Sequence, residues 1–141
     1  MTTKPTSQLN FEVRGNITVG TIQAANMFDA MKVTEFGNEA IEYLKEKPGT
    51  KLLLNFESVD YMSSAALSEL LRINEEVKKT DGSVRLCSLT PDIRKVFEIT
   101  NLEKLFVIHG DDSVESALKR YERSLTVASD DATWAGSDEG S

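Results

Sequence analysis

One cysteine and one histidine in 141 residues remove much of the usual catalytic and cross-linking chemistry at the outset. Cys87 has no second thiol in the chain, so no internal disulfide can form, and the expected compartment is the reducing cytoplasm. His109 has no second imidazole to help hold a metal, and its spacing from Cys87 is not that of a zinc site. No apolar stretch approaches the roughly 20 residues of a membrane span. The opening MTTKPTSQ is polar and carries no apolar signal core, so no secretory leader is expected. Glycines such as Gly15, Gly20, Gly37 and Gly82 have neither dinucleotide-binding nor Walker spacing, which excludes the common phosphate-cradling loops. No elbow motif surrounds any serine, and the single histidine lies far along the chain from the serines of interest. The adjacent carboxylates Glu75–Glu76 and Asp111–Asp112 are consecutive, and consecutive side chains on a helix do not face each other. Catalysis, metal binding and cofactors are therefore not expected.

Basic charge is also in short supply. The formal net charge is −7, which argues against a general nucleic-acid or anionic-membrane binder. The excess is unevenly placed. Beyond Ser124 come four acids, Asp130, Asp131, Asp138 and Glu139, and no Lys or Arg follows Arg123. Without them 19 acidic residues face 16 basic ones, so the remainder stands near −3. Residues 124–141, rich in Ser, Ala, Gly and Asp with one Trp134, are expected to be a disordered acidic tail. Residues 8–123 are expected to form one domain, and 40% hydrophobic content suffices for its core.

Periodicity supplies the elements. Leu9, Phe11 and Val13 alternate as in a half-buried strand, and after the Gly15–Asn16 turn Ile17, Val19 and Ile22 form its antiparallel partner. Residues 23–32 suit a turn or an irregular helix and stay open. Val33, Phe36, Ala40, Ile41 and Leu44 make one helical stripe, capped at Thr34 or just before it and ended by Pro48–Gly49. Residues 83–89 read as a strand. Thr90–Pro91 is a helix start, with a capping hydroxyl followed by proline at the first helical position. Leu105, Phe106, Val107 and Ile108 read as the last strand. Asp112 and Glu115 have capping-box spacing before a final helix that carries Val114, Ala117, Leu118 and Tyr121 inward. Strands alternating with helices predict an α/β domain, with right-handed crossovers between parallel strands.

The stretch at 51–71, KLLLNFESVDYMSSAALSELL, carries the functional signal. Leu52, Leu53, Leu54 and Phe56 form a short apolar run, as expected of a strand covered on both faces. A polar turn and the pair Tyr61–Met62 follow. Ser63 and Ser64 then stand where a helix starts, ahead of Ala66, Leu67, Leu70 and Leu71 at helical spacing. Two readings of the serines remain open. One is an N-cap plus a small first-turn residue. The other is a phosphorylation site, where the helix N–H groups and dipole favour an added dianion.

At these residues the chain resembles the STAS domain, the anti-sigma factor antagonist family. The resemblance spans residues 8 to 121 and includes GSVRLCSLTPDIRKVFEITNLEKLFVIHGDDSVESAL. It implies a single STAS-like α/β domain with a mixed sheet of about five strands and about four helices. The family motif reads Asp-Ser-Ser-Gly. Aligned through Met62 and Leu67, Ser63 takes the place of the Asp, Ser64 that of the phosphorylated serine, Ala65 that of the second serine and Ala66 that of the glycine. The resemblance thus implies phosphorylation at Ser64, with Ser63 the second choice, and partner contacts at Met62, Ser63, Ser64, Ala65 and Ala66. It implies a cytoplasmic switch protein that binds an anti-sigma factor or serine kinase when unphosphorylated and is reset by a serine phosphatase. The alternatives are a constitutive STAS scaffold and a small-anion-binding module, neither of them phosphorylated. The departures at Ser63 and Ala66 favour the scaffold.

Overall fold

The computed structural model describes residues 8–23, 26–27, 30–109 and 113–133. Two sheets and four helices make it up. The main sheet has five strands in the order β1 (Leu9–Arg14), β2 (Ile17–Ile22), β4 (Lys51–Asn55), β6 (Ser83–Cys87) and β7 (Val107–Ile108). The first pair is antiparallel and every later pair is parallel. A second, two-stranded parallel ladder joins β3 (Asn26–Met27) to β5 (Tyr61–Met62). The helices are α1 (Ala30–Glu46), α2 (Ser64–Lys78), α3 (Pro91–Ile99) and α4 (Val114–Thr133). This is the mixed five-stranded, four-helix architecture expected of the sequence.

The two faces of the sheet are covered unequally, and the alternation along β4 shows how. Leu52 and Leu54 point to one side, into a large core built with Val33, Phe36, Leu44, Leu70, Ile93 and Phe97 of α1, α2 and α3. Leu53 points to the other side, into a smaller core with Ile17, Val19, Ala117 and Tyr121, where α4 alone covers the sheet. The stripe Val33, Phe36, Ile41, Leu44 is buried with Leu52, Leu54, Leu67 and Leu70, as its spacing predicts. Each large side chain moved from water into these layers contributes about 1.5–3 kcal/mol.

Close approach shapes two places. Gly37 of α1 faces α2, and any Cβ there would run into the carboxylate of Glu69. Gly82 follows the left-handed Asp81 (φ 63°), donates its N–H to Val77 O at 2.8 Å and leaves no room for a Cβ against Thr50 O. Both permit a tight fit that a side chain would open.

Under α4 a polar clasp ties the helix to the sheet. The Tyr121 hydroxyl bonds to Ser83 Oγ, and the Arg85 guanidinium lies 4.4 Å from the Tyr121 ring centroid. Arg85 Nη2 also donates to Ser124 Oγ at 2.9 Å. Burial pushes the Tyr121 phenol above its ordinary pKa, partly countered by the Ser83 hydrogen bond and the Arg85 charge.

Several boundaries differ from the sequence expectation. α1 begins at Ala30, ahead of Thr34, and the open stretch before it holds β3. Val13 is 65% exposed and not half-buried: the Phe11 ring stacks on Tyr43 at 4.0 Å, and the cover over this edge strand ends with that pair. The last strand shrinks to Val107–Ile108, because Asn101 turns left-handed (φ 63°) and residues 102–104 coil into a 3-10 turn. Ser113 caps α4, accepting the Ser116 N–H at 3.2 Å, while the Glu115 carboxylate that would complete a capping box goes to Arg14 at 3.0 Å. Asp112 lies outside the described residues. The domain does not stop at 123, since α4 runs to Thr133. Ser124 is held by Arg85, and Leu125 packs against the smaller core, so the acidic composition begins inside the helix. Residues 134–141 of the expected tail lie outside the described residues.

Candidate functional site

The site is assembled by the link from β4 to α2. Asn55 ends β4 buried, and its side-chain oxygen accepts the Glu57 N–H at 3.0 Å, an Asx turn that breaks the strand. Phe56 donates its N–H to Cys87 O at 3.0 Å, and Val59 donates to Phe56 O at 2.9 Å. Phe56 and Val59 are both fully buried, so the turn is nailed to the core at two points. Only Glu57, Ser58 and Asp60 of this turn face water. β5 then pairs with β3 for two residues, with the alternation of a strand: Met62 goes in and Tyr61 out.

Ser63 is the N-cap of α2. Its backbone is extended (φ −95°, ψ 169°), and its Oγ accepts the Ala66 N–H at 3.3 Å. Its carbonyl also accepts from Ala66 at 3.1 Å and from Leu67 at 3.3 Å. Ser64 is the first residue within the helix, and it is exposed, as is Ala65. No acidic side chain occupies the first turn of α2, so its positive end is not compensated there.

The five residues expected to meet a partner therefore divide. Ser63, half-buried, and Ser64 and Ala65, exposed, form the outer surface of the turn. Met62 and Ala66 are buried and brace it from beneath. The Ala66 methyl sits in the larger core, away from any docking surface. Sequence reasoning passed over Tyr61, a ring 61% exposed beside the serines. Strand alternation was the available signal: if Met62 is inward, the preceding residue is outward.

The remaining chemistry-bearing residues lie at the ends of β6 and β7. Cys87 is buried in β6 among the residues under α4. His109 follows β7 and donates its backbone N–H to Leu86 O at 2.8 Å. Among the described residues no cluster of His, Cys, Asp and Glu could hold a metal ion, and no helix is long and apolar enough to cross a membrane. A groove of about 440 Å³ opens elsewhere, between the β1–β2 turn and α4, lined by Arg14, Gly15, Glu115, Leu118, Lys119, Glu122 and Arg123. What the α2 turn offers chemically is a hydroxyl presented to solvent on a rigid helix end.

A strand, a buried turn and a capped helix with Ser64 exposed at its first position thus make up this end of the domain. Residues 8–117 match the model of the STAS domain, so the chain belongs to the STAS domain family. It is 30% identical over 80 residues to BtrV of Bordetella bronchiseptica, which bears the name of an anti-sigma factor antagonist; the match covers 57% of this chain and 67% of that one. Its fold resembles that of an anti-sigma factor antagonist from Mycobacterium paratuberculosis, with TM-score 0.69, 18% identity and coverage of 86% of this chain and 99% of that one. It also resembles the Bacillus cell fate determinant SpoIIAA in its phosphorylated form, with TM-score 0.63, 21% identity and coverage of 79% and 97%.

Proposed function

We propose that this chain is an anti-sigma factor antagonist that binds an anti-sigma factor, or a serine kinase of the same switch, through the start of α2, and that phosphorylation of Ser64 releases it. The observation that carries this reading is the exposure of Ser64 at the first position of α2, beside a separate residue that does the capping. Because Ser63 closes the turn, the Ser64 hydroxyl has no structural duty in it and can be modified without unwinding the helix. A phosphate there adds about two negative charges next to unpaired helix N–H groups, which accommodate it within the free domain. Inside a closed interface the same dianion loses its water, at a cost of several kcal/mol unless a cation meets it. The switch thus acts on binding and not on folding. It needs no cofactor and no catalytic group of this chain. The reading as a non-enzyme rests on the family.

A second reading, a STAS module that binds constitutively, is favoured by the residues at the helix start: the N-cap is Ser63 where the family motif has an Asp, and Ala66 stands where it has a Gly. The two are separated by incubating the chain with the partner kinase and ATP and mapping the product. Phosphate on Ser64, absent in Ser64→Ala, supports the switch; an unmodified chain that still binds supports the module.

A further inference from the structure

Among the described residues only one aromatic ring is exposed, that of Tyr61. The others lie in the two cores or, as Phe11 and Tyr43 do, stack on each other half-buried. The backbone beneath Tyr61 is fixed from both directions. Ahead of it Phe56 and Val59 anchor the turn in the core, and β3 pairs with β5 alongside. After it Met62 is buried and Ser63 caps α2. A ring on such a base has few side-chain torsions left to lose when it is covered. Tyrosine is also among the residues that most often carry the binding energy of an interface. Charge stands next to it. Glu57 and Asp60 are exposed, and neither forms an ion pair among the described residues. Ser64 follows three residues later, so chain length alone keeps it within about 11 Å of Tyr61.

From this arrangement we infer that Tyr61 is the aromatic anchor of the contact with the anti-sigma partner, which supplies an apolar slot for the ring and Lys or Arg at the rim of that slot, facing Glu57 and Asp60. The inference rests on the reading that the start of α2 is the binding surface. Covering the ring drives water from the ground beside Ser64, and that is the condition under which an added dianion becomes costly. In chain order the two carboxylates precede the ring and Ser64 follows it. The partner's cations are thereby engaged on the turn, and a phosphate on Ser64 arrives where the contact is apolar. Exposure alone does not single out Tyr61. Val13 is exposed to a similar degree, at 65%, but it pairs with Thr18, which in turn pairs with Leu52 near the start of β4. The α2 turn follows the other end of that strand. Val13 therefore serves as the control.

The test is calorimetric titration of the purified anti-sigma factor with the full chain at low and high salt, with melting temperatures taken alongside. Tyr61→Ala is expected to weaken binding at least about thirtyfold, and Tyr61→Phe, which keeps the ring, by no more than about threefold. Val13→Ala should bind as wild type does. Glu57→Gln combined with Asp60→Asn should bind more weakly at low salt and lose much of the salt dependence of wild type. Should Tyr61→Ala melt well below wild type, Tyr61→Thr, which suits a strand, is expected to give the same loss of binding. Ser64→Asp in the same series separates the anchor from the reading beneath it. Weaker binding by Ser64→Asp with unchanged affinity in Tyr61→Ala overturns the anchor and leaves the α2 surface standing. Unchanged affinity in both overturns the two together. An equal loss from Val13→Ala, or a salt dependence untouched by the Glu57 and Asp60 changes, overturns the inference as well.

Discussion

The Ser63 hydroxyl accepts the Ala66 backbone N–H at 3.3 Å, and this bond separates the work of two adjacent serines. Ser63 holds the Ala66 N–H with its side chain as well as its carbonyl, and Ser64 is left exposed beside it. The cap and the switch are different residues. Ser63→Ala should therefore lower stability by about 1 kcal/mol, the usual value of an N-cap, and change partner affinity little. Urea titration checks the first effect and calorimetric binding the second.

Gly82 should tolerate no side chain. Its missing Cβ points at the Thr50 carbonyl, a backbone atom in the neighbouring connection that cannot rotate away. Gly82→Ala is expected to destabilise the domain by about 1–3 kcal/mol, the range for overpacking a tight contact. The shift should appear in the denaturant midpoint with the slope unchanged.

Tyr121 sets a limit at alkaline pH. Burial raises its folded-state pKa above the unfolded value, so between the two the folded state holds the phenolic proton and the unfolded state releases it. Stability from this source is complete below the unfolded pKa of about 10 and declines as pH rises through the folded one. Thermal unfolding followed from pH 8 to 11 should show a loss in wild type that is shallower in Tyr121→Phe. That variant should also give up about 1 kcal/mol at neutral pH, for the hydrogen bond to Ser83.

Neither Cys87 nor His109 should matter to binding. The Cys87 side chain is enclosed under α4 and His109 follows the edge strand β7, so neither belongs to the exposed surface formed by Ser63, Ser64 and Ala65. Cys87→Ala and His109→Gln are expected to keep partner affinity within about twofold, with stability costs in the ordinary 0.5–3 kcal/mol range of point variants. A selective loss of any turnover in either variant would contradict the non-enzymatic reading.

The parts legible in the sequence were those where one period or one cap dominates. The stripe from Val33 to Leu44 could be read because a long amphipathic helix repeats its signal over several turns. Thr90–Pro91 and Ser63 could be read because a cap is a local bond between neighbours; both form as expected, Thr90 Oγ1 accepting the Ile93 N–H at 3.2 Å. The parts that were not legible depend on contacts distant in the chain. β3 and β5 are two residues each and owe their pairing to one another across 35 positions, so no local period marks them. Glu115 has the spacing of a capping box, yet its partner is Arg14, a hundred and one residues away. Leu125 and Ser124 belong to the domain through Arg85 and the core under α4, which composition alone cannot report. At the site, the serines were visible as a cap and a neighbour. Ala66 was placed both on the apolar stripe of α2 and among the partner contacts, and it turns inward with the stripe.

The central claim is that phosphorylation at Ser64 acts on binding while leaving the fold intact. The direct measurement is calorimetric titration of the purified anti-sigma partner with wild type, Ser64→Ala and Ser64→Asp, with melting temperatures taken on the same samples. Ser64→Ala should bind as unphosphorylated wild type does. Ser64→Asp should bind about tenfold or more weakly, and the phosphorylated chain more weakly still, since it carries about two charges to the aspartate's one. All should melt within a few degrees of one another. Equal affinities for all forms, or weaker binding that comes only with a collapse in melting temperature, would contradict the account.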